Sequence, residues 1–465
     1  MQKSAKTKNV LDTDKIGGLL FKLSMPVFLG MFVQTLYNVI STIFIGRFVG
    51  PIGIAALSIS FPLQMMGYGL GTMSGIGGMS VISRSLGAGK DDDAEKALGN
   101  GFTLAILLSC FVIAILLPFL DFWLKLIGAS ETVLPYAREY MIYITISYIF
   151  MVLSISLLNY TRAEGNANVS MGAMIIGSIV DISLCFVFIV WMKMEVKGAG
   201  LATLFAQLCS VLYLLNYYRS GRSYLKVRWH NFKPDLKIMK EMLAIGIGAF
   251  VQMFAGSFSA MVLLKMVVTY GGDYALGAFG IAQRIMMFVM MPAMVLSQGA
   301  QPILGFNYGA GRFRLALKSI TLAIGFSMVL CSAGFLIVYF IPEPIIRIFN
   351  DNPQLISIGV EANKRMFLAQ PLLGPLMVGT MIFQAVGKAK QAFVAAIGRP
   401  LLFVIPAALT LTHFMGLKGV WLAFPTSDLL TFLLVMVLMI PILKEFKQGA
   451  ALEKNEVALT ESHGF

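Results

Sequence analysis

The chain has 465 residues, of which 58% are hydrophobic and only 13% are charged. Soluble globular proteins usually carry about a quarter of their residues as charged side chains, so this composition excludes the soluble class and indicates an integral membrane protein. The apolar runs repeatedly exceed ~18 residues, which favours membrane-spanning α-helices over the short alternating strands of a membrane barrel.

Twelve apolar runs follow one another along the chain, and each is long enough for a membrane-spanning helix. In chain order they lie at 16–46, 53–83, 98–120, 136–158, 169–192, 199–218, 238–270, 275–304, 316–341, 356–384, 393–414 and 419–443. The sequence therefore predicts an all-α integral membrane protein with twelve transmembrane helices.

The net charge of +13 suggests a nucleic-acid partner, but the distribution of the basic residues has a simpler cause. Cytoplasmic loops of membrane proteins are enriched in Lys and Arg. With a cytoplasmic N-terminus, the loops on that side carry 25 Lys and Arg, and the loops on the other side carry 9. We therefore expect both termini in the cytoplasm and no nucleic-acid partner. We expect no cleaved signal peptide, because the N-terminal stretch is polar for long and its first apolar run is not followed by a small-residue cleavage site.

The longest polar interruption, 219–240, divides the twelve runs six and six. A shift of 222 residues pairs Gly87–Gly89 with Gly309–Gly311 and Gly165 with Gly387. Because this shift spans six helices, the two copies keep the same membrane orientation, and we expect two six-helix lobes related by a pseudo-twofold axis along the membrane normal. The expected division is an N-terminal lobe at 1–218, a cytoplasmic linker at 219–240, a C-terminal lobe at 241–443 and a disordered cytoplasmic tail at 444–465.

Asp181 lies near the centre of the apolar run from Ile175 to Trp191. A carboxylate at that depth costs a few kcal/mol, so it is expected to face a protein-lined or watery cavity and to be functional. The alternative is that Asp181 only hydrogen-bonds neighbouring helices, an interaction worth ~1 kcal/mol.

Several stretches carry a family resemblance: RAEGNA, RIMMFVMMPAMVLSQGAQPILGFNYGAGR, FQAVGKAKQA and GVWLAFPTSD. From about residue 16 to residue 443 the chain resembles the multidrug and toxic compound extrusion (MATE) transporters, in their MepA-like bacterial branch. The resemblance implies two six-helix lobes around a cavity that opens alternately to each side. It also implies export of organic cations in exchange for protons or sodium ions, across the plasma (inner) membrane of a bacterium.

In that family, the N-lobe ion site combines a fifth-helix Asp with a first-helix Asp, fourth-helix polar groups and a sixth-helix Thr. Asp181 and Thr203 match two of these positions, whereas Ser41 stands where the first-helix acid is usual and Gly177 where the family has an Asn. The fourth-helix groups are expected from Ser154 and Asn159. The resemblance thus implies a nearly solitary carboxylate that binds H⁺, or Na⁺ as the only possible metal, with no other cofactor.

Asp428 is a second acid within an apolar run, three residues after Pro425. It is expected to take part in ion coupling or to pair with Arg399 or Arg284. Arg284 lies inside the eighth run, where it must pair or face water. A structural ion pair and a contact with substrate both remain open for it.

Polar, aromatic and methionine side chains within the runs are candidates for substrate binding. Flexible methionines suit promiscuous apolar surfaces, although they are also common core filler, and the polar groups are equally suited to helix-to-helix hydrogen bonds. The candidates are Gln34, Tyr37, Asn38, Gln252, Arg284, Met286 and Met290. Four single cysteines are expected in the core, and Arg162 and Glu164 are expected to be loop charges.

The leading hypothesis is a secondary active exporter of organic cations, working as a monomer in the lipid bilayer. A lipid-linked or anionic cargo is the alternative, and it would favour a cavity rich in Arg and Lys. An enzyme is not expected, because no catalytic cluster occurs in the sequence.

Overall fold

A computed structural model of the protein describes residues 10–462, with side chains described for 10–454. The first half of the chain forms seven α-helices: α1 Ile16–Phe48, α2 Pro51–Gly87, α3 Asp91–Leu116, the short α4 Leu120–Ile127, α5 Leu134–Ala163, α6 Ala167–Cys185 and α7 Glu195–Arg219. A π-helical segment, Phe186–Trp191, extends α6. The polar linker 219–240 contains a 3₁₀ turn, Trp229–Phe232, and ends in the first turn of the next helix, which begins at Leu236.

The second half begins with α8 Leu236–Gly309, which is 74 residues long. It is followed by α9 Phe313–Phe340, α10 Pro342–Arg347, α11 Pro353–Met366, α12 Gln370–Ala385, α13 Ala389–Ile397, the π-helical segment Gly398–Phe403, α14 Val404–Met415 and α15 Leu417–Ser462. The short helices α4 and α10 lie between predicted spans and were not anticipated by the apolar pattern.

The described residues contain the predicted set of membrane spans. Ten helical stretches are long and apolar enough to cross a membrane, and α11 with α12, bent by 51° relative to each other, make an eleventh. The long helix α8 holds two spans, because Gly272 interrupts it with φ 67° and ψ −162°. The prediction of an all-α membrane protein with twelve spans is thereby confirmed.

The backbone repeats at the spacing that the sequence predicted. Gly89 and Gly311 have φ values of 70° and 71°, and Gly165 and Gly387 have φ values of 87° and 76°. Such left-handed backbone is open to glycine but strained for most other residues. Each pair is separated by 222 positions, and the same spacing relates the kink at Gly272 to Gly50, where φ is 89° and ψ is −163°. The connections between helices therefore have the same backbone conformation at equivalent positions of the two halves.

Two predicted boundaries are corrected. The third span begins earlier than residue 98, since α3 starts at Asp91 with three acidic residues in its first turn, where carboxylates stabilise the positive end of the helix dipole. The expectation of a disordered tail is wrong as far as Ser462, because α15 continues through it. The last three residues lie outside the described part.

The chain divides into two compact units. The first contains residues up to Thr13 together with Lys22–Phe250, and the second contains Asp14–Phe21 and the chain from Val251 onward. The polar linker belongs to the first unit, and so does the beginning of α8. The lobe boundaries expected from the sequence stay a prediction.

Helices of the first unit pack closely because glycines leave space for large side chains of neighbouring helices. Tyr160 of α5 is fully buried, and its ring occupies the space beside Gly78 of α2 and Gly101 of α3. A Cβ atom at either glycine would lie within 2.5 Å of the Tyr160 side chain. The core of the second unit is mainly aliphatic with a few aromatic rings, and the rings of Phe279 and Trp421 stack with centroids 6.0 Å apart. Both units thus have packed apolar interiors, in which a buried charge is energetically costly.

Candidate functional site

Asp181 lies in α6, within the span formed by Ala167–Trp191, and its side chain is only 2% exposed. The flanking residues are apolar or hydroxylic, so no basic neighbour along α6 neutralises the carboxylate. An acid buried at this depth requires partners from its own helix or from adjacent helices.

The nearest partner of Asp181 is a thiol. Cys185, one turn further along α6, places its Sγ 3.4 Å from Oδ1 of Asp181. The same sulfur lies 3.5 Å from the hydroxyl of Ser41 on α1. The Thr203 hydroxyl of α7 also interacts with the carboxylate. Thr203 thus lies at Asp181 directly, and Ser41 lies one contact away, through Cys185. Their part in ion coupling stays a prediction.

Two tyrosines complete the surroundings of the carboxylate. The phenol groups of Tyr37 on α1 and Tyr140 on α5 lie close enough for the charge of Asp181 to act on them. Gln64 of α2 donates from Nε2 to the Tyr140 hydroxyl at 2.7 Å. Tyr37 was predicted as a substrate contact, whereas Tyr140 and Gln64 were not identified from the sequence.

The two fourth-span candidates lie further from this centre. Ser154 and Asn159 of α5 are both buried, and neither is hydrogen-bonded to Asp181 among the residues that the structure describes. Asn159 donates to the carbonyl of Ile155 at 2.8 Å and packs against Gly75 of α2. Their proposed part in ion binding stays a prediction.

The missing family Asn at Gly177 has a steric explanation. A Cβ atom at Gly177 would lie 2.4 Å from Oγ of Ser210 on α7. That hydroxyl is held in place because it donates to the carbonyl of Ala173 at 3.1 Å. Ser210 therefore occupies the space that a longer side chain at 177 would need.

Asp428 in the second unit has a different environment from Asp181. It is 1% exposed, and its Oδ1 accepts a hydrogen bond from Nε of Arg399 at 2.5 Å. Of the two basic partners considered for Asp428, the structure thus selects Arg399, which lies in the π-helical segment Gly398–Phe403. The second oxygen, Oδ2, is buried without a hydrogen-bond partner in the described part of the chain.

Arg284 and the methionines of α8 are divided between surface and core. Arg284 is exposed and forms no ion pair within the described residues, so the expected structural pair is not found. Met286 is 4% exposed and belongs to the core of the second unit, and its Sδ lies 3.8 Å from Nη2 of Arg399. Met290 is half-buried against the same core.

The remaining polar candidates for substrate binding are at least partly exposed. Gln34 is half-buried, and Asn38 and Gln252 are exposed. Asn38 donates to the carbonyl of Gln34 at 2.9 Å within α1. Their role in substrate binding stays a prediction.

Two expected loop charges are in fact buried. Arg162 is 5% exposed and Glu164 is 4% exposed. Oε2 of Glu164 accepts hydrogen bonds from the Ser223 hydroxyl at 2.7 Å and the Tyr224 amide at 2.9 Å. Burial outweighs these hydrogen bonds and raises the pKa of Glu164 from 4.5 to about 7. Glu164 is not an exposed loop charge, because the linker covers it at the end of α5.

The expectation for the cysteines is only partly met. Cys185 and Cys331 are buried, Cys209 is half-buried and Cys110 is exposed. Helix α3 presents Cys110 on its outer side, between exposed Leu107 and Phe111. In the described residues, no group of three or more His, Cys, Asp or Glu side chains is arranged to hold a metal ion.

Twelve spans in two repeated halves, with a buried carboxylate in the first half, define a multi-pass helical membrane protein of the transporter type. The MatE family model matches residues 26–187 and 249–410. The chain belongs to this family, as the resemblance indicated, and the two matches correspond to the two halves of the repeat.

Curated relatives agree with this assignment. The multidrug export protein MepA of Staphylococcus aureus is 27% identical over 405 residues, which cover 86% of this chain and 88% of the relative. MepA of Staphylococcus haemolyticus is 26% identical over the same length. Among solved structures, a MATE protein in the straight conformation superposes with a TM-score of 0.89 at 24% identity, over 95% of this chain and 100% of that one. A MOP superfamily transporter from Pyrococcus furiosus also has a TM-score of 0.89.

Proposed function

We propose that this protein is a secondary active exporter of organic cations, driven by an ion gradient across the plasma membrane of a bacterium. The observation that carries the proposal is the 2% exposed carboxylate of Asp181 within a membrane span, with no basic neighbour on its own helix. Buried intramembrane acids are costly and mark ion or substrate pathways. Family membership and the MepA relatives, which are named multidrug export proteins, support this function.

The proton is the better candidate for the coupling ion. Sodium is a hard cation that is best held by several oxygen ligands, whereas thiol sulfur suits softer metals. Within the described part of the chain, the carboxylate of Asp181 has one thiol partner, Cys185, and one hydroxyl partner, Thr203. One carboxylate suffices to bind and release a proton. Sodium at Asp181 remains the alternative, with Ser41 brought nearer as a further oxygen ligand.

Exchange of a proton for an organic cation across the membrane follows if both compete for the negative charge of Asp181. A protonated Asp181 is neutral and holds a cationic substrate weakly, whereas an ionised Asp181 attracts it. Tyr37 and Tyr140 lie within electrostatic range of this charge, and aromatic faces stabilise organic cations. Loss of the proton on one side of the membrane would therefore admit the substrate, and regain of the proton on the other side would expel it.

The remaining parts of the proposal concern the molecule as a whole. Two lobes, 1–218 and 241–443, would alternate access to a cavity in a monomer whose termini are both cytoplasmic. Gln34, Asn38, Gln252 and Met290 are proposed to contact the substrate, and Asp428 is proposed to assist coupling. Arg284, exposed and unpaired within the described residues, is the one observation that favours an anionic or lipid-linked cargo instead.

The proposal can be tested in everted membrane vesicles. Energised vesicles are expected to accumulate a fluorescent organic cation, and Asp181→Asn is expected to abolish accumulation with an unchanged amount of folded protein. Asp351→Asn, which neutralises an exposed acid, is the matched control. Imposing a pH gradient or a sodium gradient separately identifies the coupling ion. Full transport by Asp181→Asn would overturn the assignment, and uptake of an anionic dye alone would favour the other cargo.

A further inference from the structure

The polar linker is fixed on the first unit by a series of partly buried polar contacts. Besides the bonds to Glu164, the amide of Lys226 donates to Glu95 at 3.2 Å, and Nε of Arg228 lies 3.2 Å from the other oxygen of that carboxylate. Further along, Oδ1 of Asn100 accepts the amide of Asp235 at 2.6 Å. The linker is therefore a docked segment and not a free tether between two spans.

One side of the docked linker is buried and the other is exposed. Leu225 is 1% exposed, and Phe232 packs on Phe102 of α3 with ring centroids 5.6 Å apart. The same 3₁₀ turn that directs Phe232 inward leaves Trp229 91% exposed. Leu236, at the start of α8, is 70% exposed. Val227 is also 41% exposed. Exposed apolar side chains that occur together, unlike single scattered ones, indicate an interaction site.

The exposed side is also strongly basic. Between 219 and 240 the sequence has seven Lys and Arg against a single acid, Asp235, whose carboxylate accepts the amide of Lys237 in the first turn of α8. Lys237 and Lys240 are exposed and, with Leu236, share one face of that turn, because residues three and four apart are neighbours on a helix.

The position of the linker restricts what can cover it. It leaves the membrane at the end of α7 and re-enters with α8, so both of its ends lie at one membrane surface. Tryptophan prefers the headgroup level of a bilayer, and basic clusters beside a span attract anionic lipids. We propose that the linker face, defined as Val227, Trp229, Lys233, Leu236, Lys237 and Lys240, binds anionic phospholipid headgroups of the leaflet on which it lies.

The proposal can be tested in lipid nanodiscs with or without phosphatidylglycerol. Trp229→Phe, at an exposed position, isolates the Trp229 fluorescence by difference from the wild type. In anionic discs this fluorescence is expected to be quenched by lipids brominated near the headgroup and to be several-fold less sensitive to aqueous acrylamide than in neutral discs. High salt is expected to reverse both effects, because exposed charges are screened.

The charge requirement has a matched control. The triple variant Lys233→Gln, Lys237→Gln, Lys240→Gln is expected to weaken phosphatidylglycerol binding by about a hundredfold, since each basic residue contributes on the order of a factor of five. Arg314→Gln, Lys318→Gln, Lys390→Gln removes the same charge from exposed positions elsewhere and is expected to leave the Trp229 signal unchanged. Acrylamide access to Trp229 in anionic discs equal to that in neutral discs would overturn the proposal, as would equal effects of the two triple variants.

Discussion

The sulfur of Cys185 lies 3.4 Å from Oδ1 of Asp181, one helical turn away. The same sulfur lies 3.5 Å from the hydroxyl of Ser41, so it connects the buried acid of α6 to α1. Where related transporters are expected to place a second acid on the first helix, this chain uses a serine and an intervening thiol.

Cys185→Ala is expected to slow transport of an organic cation without lowering the amount of folded protein. A hydrogen bond to a charged group contributes about 1.5–3 kcal/mol, and a thiol donor less, so the expected loss is roughly fivefold. Cys185→Ser should restore the rate, because a hydroxyl can donate in the same position. The measurement is the initial rate of dye uptake at a fixed ion gradient.

The connection through Cys185 predicts a non-additive pair. Ser41→Ala should slow transport less than Cys185→Ala, and the double variant should be no slower than Cys185→Ala alone, because the serine acts through the thiol. Additive effects of the two substitutions would show that Ser41 reaches Asp181 independently.

Breaking the ion pair between Arg399 and Asp428 is expected to destabilise the second unit. Arg399→Ala leaves the 1% exposed carboxylate of Asp428 without its charge partner. Since the Arg399 side chain is 25% exposed, the cost is expected to reach at most the roughly 3–5 kcal/mol of a fully buried pair. Replacing both residues, as Arg399→Met with Asp428→Leu, should recover most of this loss. Thermal unfolding of the detergent-solubilised protein measures both effects.

The exposed pair between Arg347 and Glu343, 2.7 Å apart, is the control for that comparison. Surface ion pairs contribute at most about 1 kcal/mol, so Arg347→Ala should barely change the unfolding temperature. If Arg399→Ala were equally mild, the buried carboxylate of Asp428 would not depend on Arg399 as its charge partner.

Gly177→Ala is expected to lower stability by about 1–3 kcal/mol, as overpacking usually does. The added methyl group would lie 2.4 Å from Oγ of Ser210 but 3.7 Å from its Cβ. Removing only the hydroxyl, with Ser210→Ala, should therefore relieve the clash, and the double variant should unfold close to the wild-type temperature. Failure of this rescue would point to another obstacle at Gly177.

The docking of the linker on Glu164 is expected to depend on pH. In the docked structure the pKa of Glu164 is about 7, above the usual 4.5. The docked form of the linker therefore binds a proton on Glu164 more tightly than the undocked form does. The stabilisation from this proton is full below about pH 4.5 and is lost as the pH rises through 7. After correction for intrinsic exchange, the amides of Tyr224 and Leu225 should exchange hydrogen faster at pH 8 than at pH 6.

Glu164→Gln separates this pH effect from general loosening. Its neutral amide mimics the protonated acid, so protection of the two amides should become independent of pH. The amide of Asp235, which donates to the non-titrating side chain of Asn100, is the internal reference. Equal pH dependence in the wild type and in Glu164→Gln would contradict the assignment.

The fold was largely predictable because its determinants are local. Span length follows from apolar runs, and the corners of the repeat follow from glycines such as Gly89 and Gly311, both with φ near 70°. The kink at Gly272 lies between two predicted spans. The bend between α11 and α12 was missed because the apolar run continues through it.

The candidate site was less predictable because it depends on contacts between distant segments. Asp181 and Thr203 follow from a family motif. Cys185 resembles an ordinary core residue, and only its position four residues after Asp181, on the same helix face, indicates that the two side chains can meet. The burial of Glu164 depends on residues 223–225, which lie about sixty positions later in the chain. No local pattern reveals that contact.

The central claim is that an organic cation and a proton compete for Asp181, and proton release tests it most directly. Addition of an organic cation to the purified protein in weakly buffered detergent should acidify the solution for the wild type and for Asp351→Asn. Asp181→Asn should release no protons under the same conditions. Equal proton release by Asp181→Asn, or substrate binding to the wild type without any release, would contradict the account.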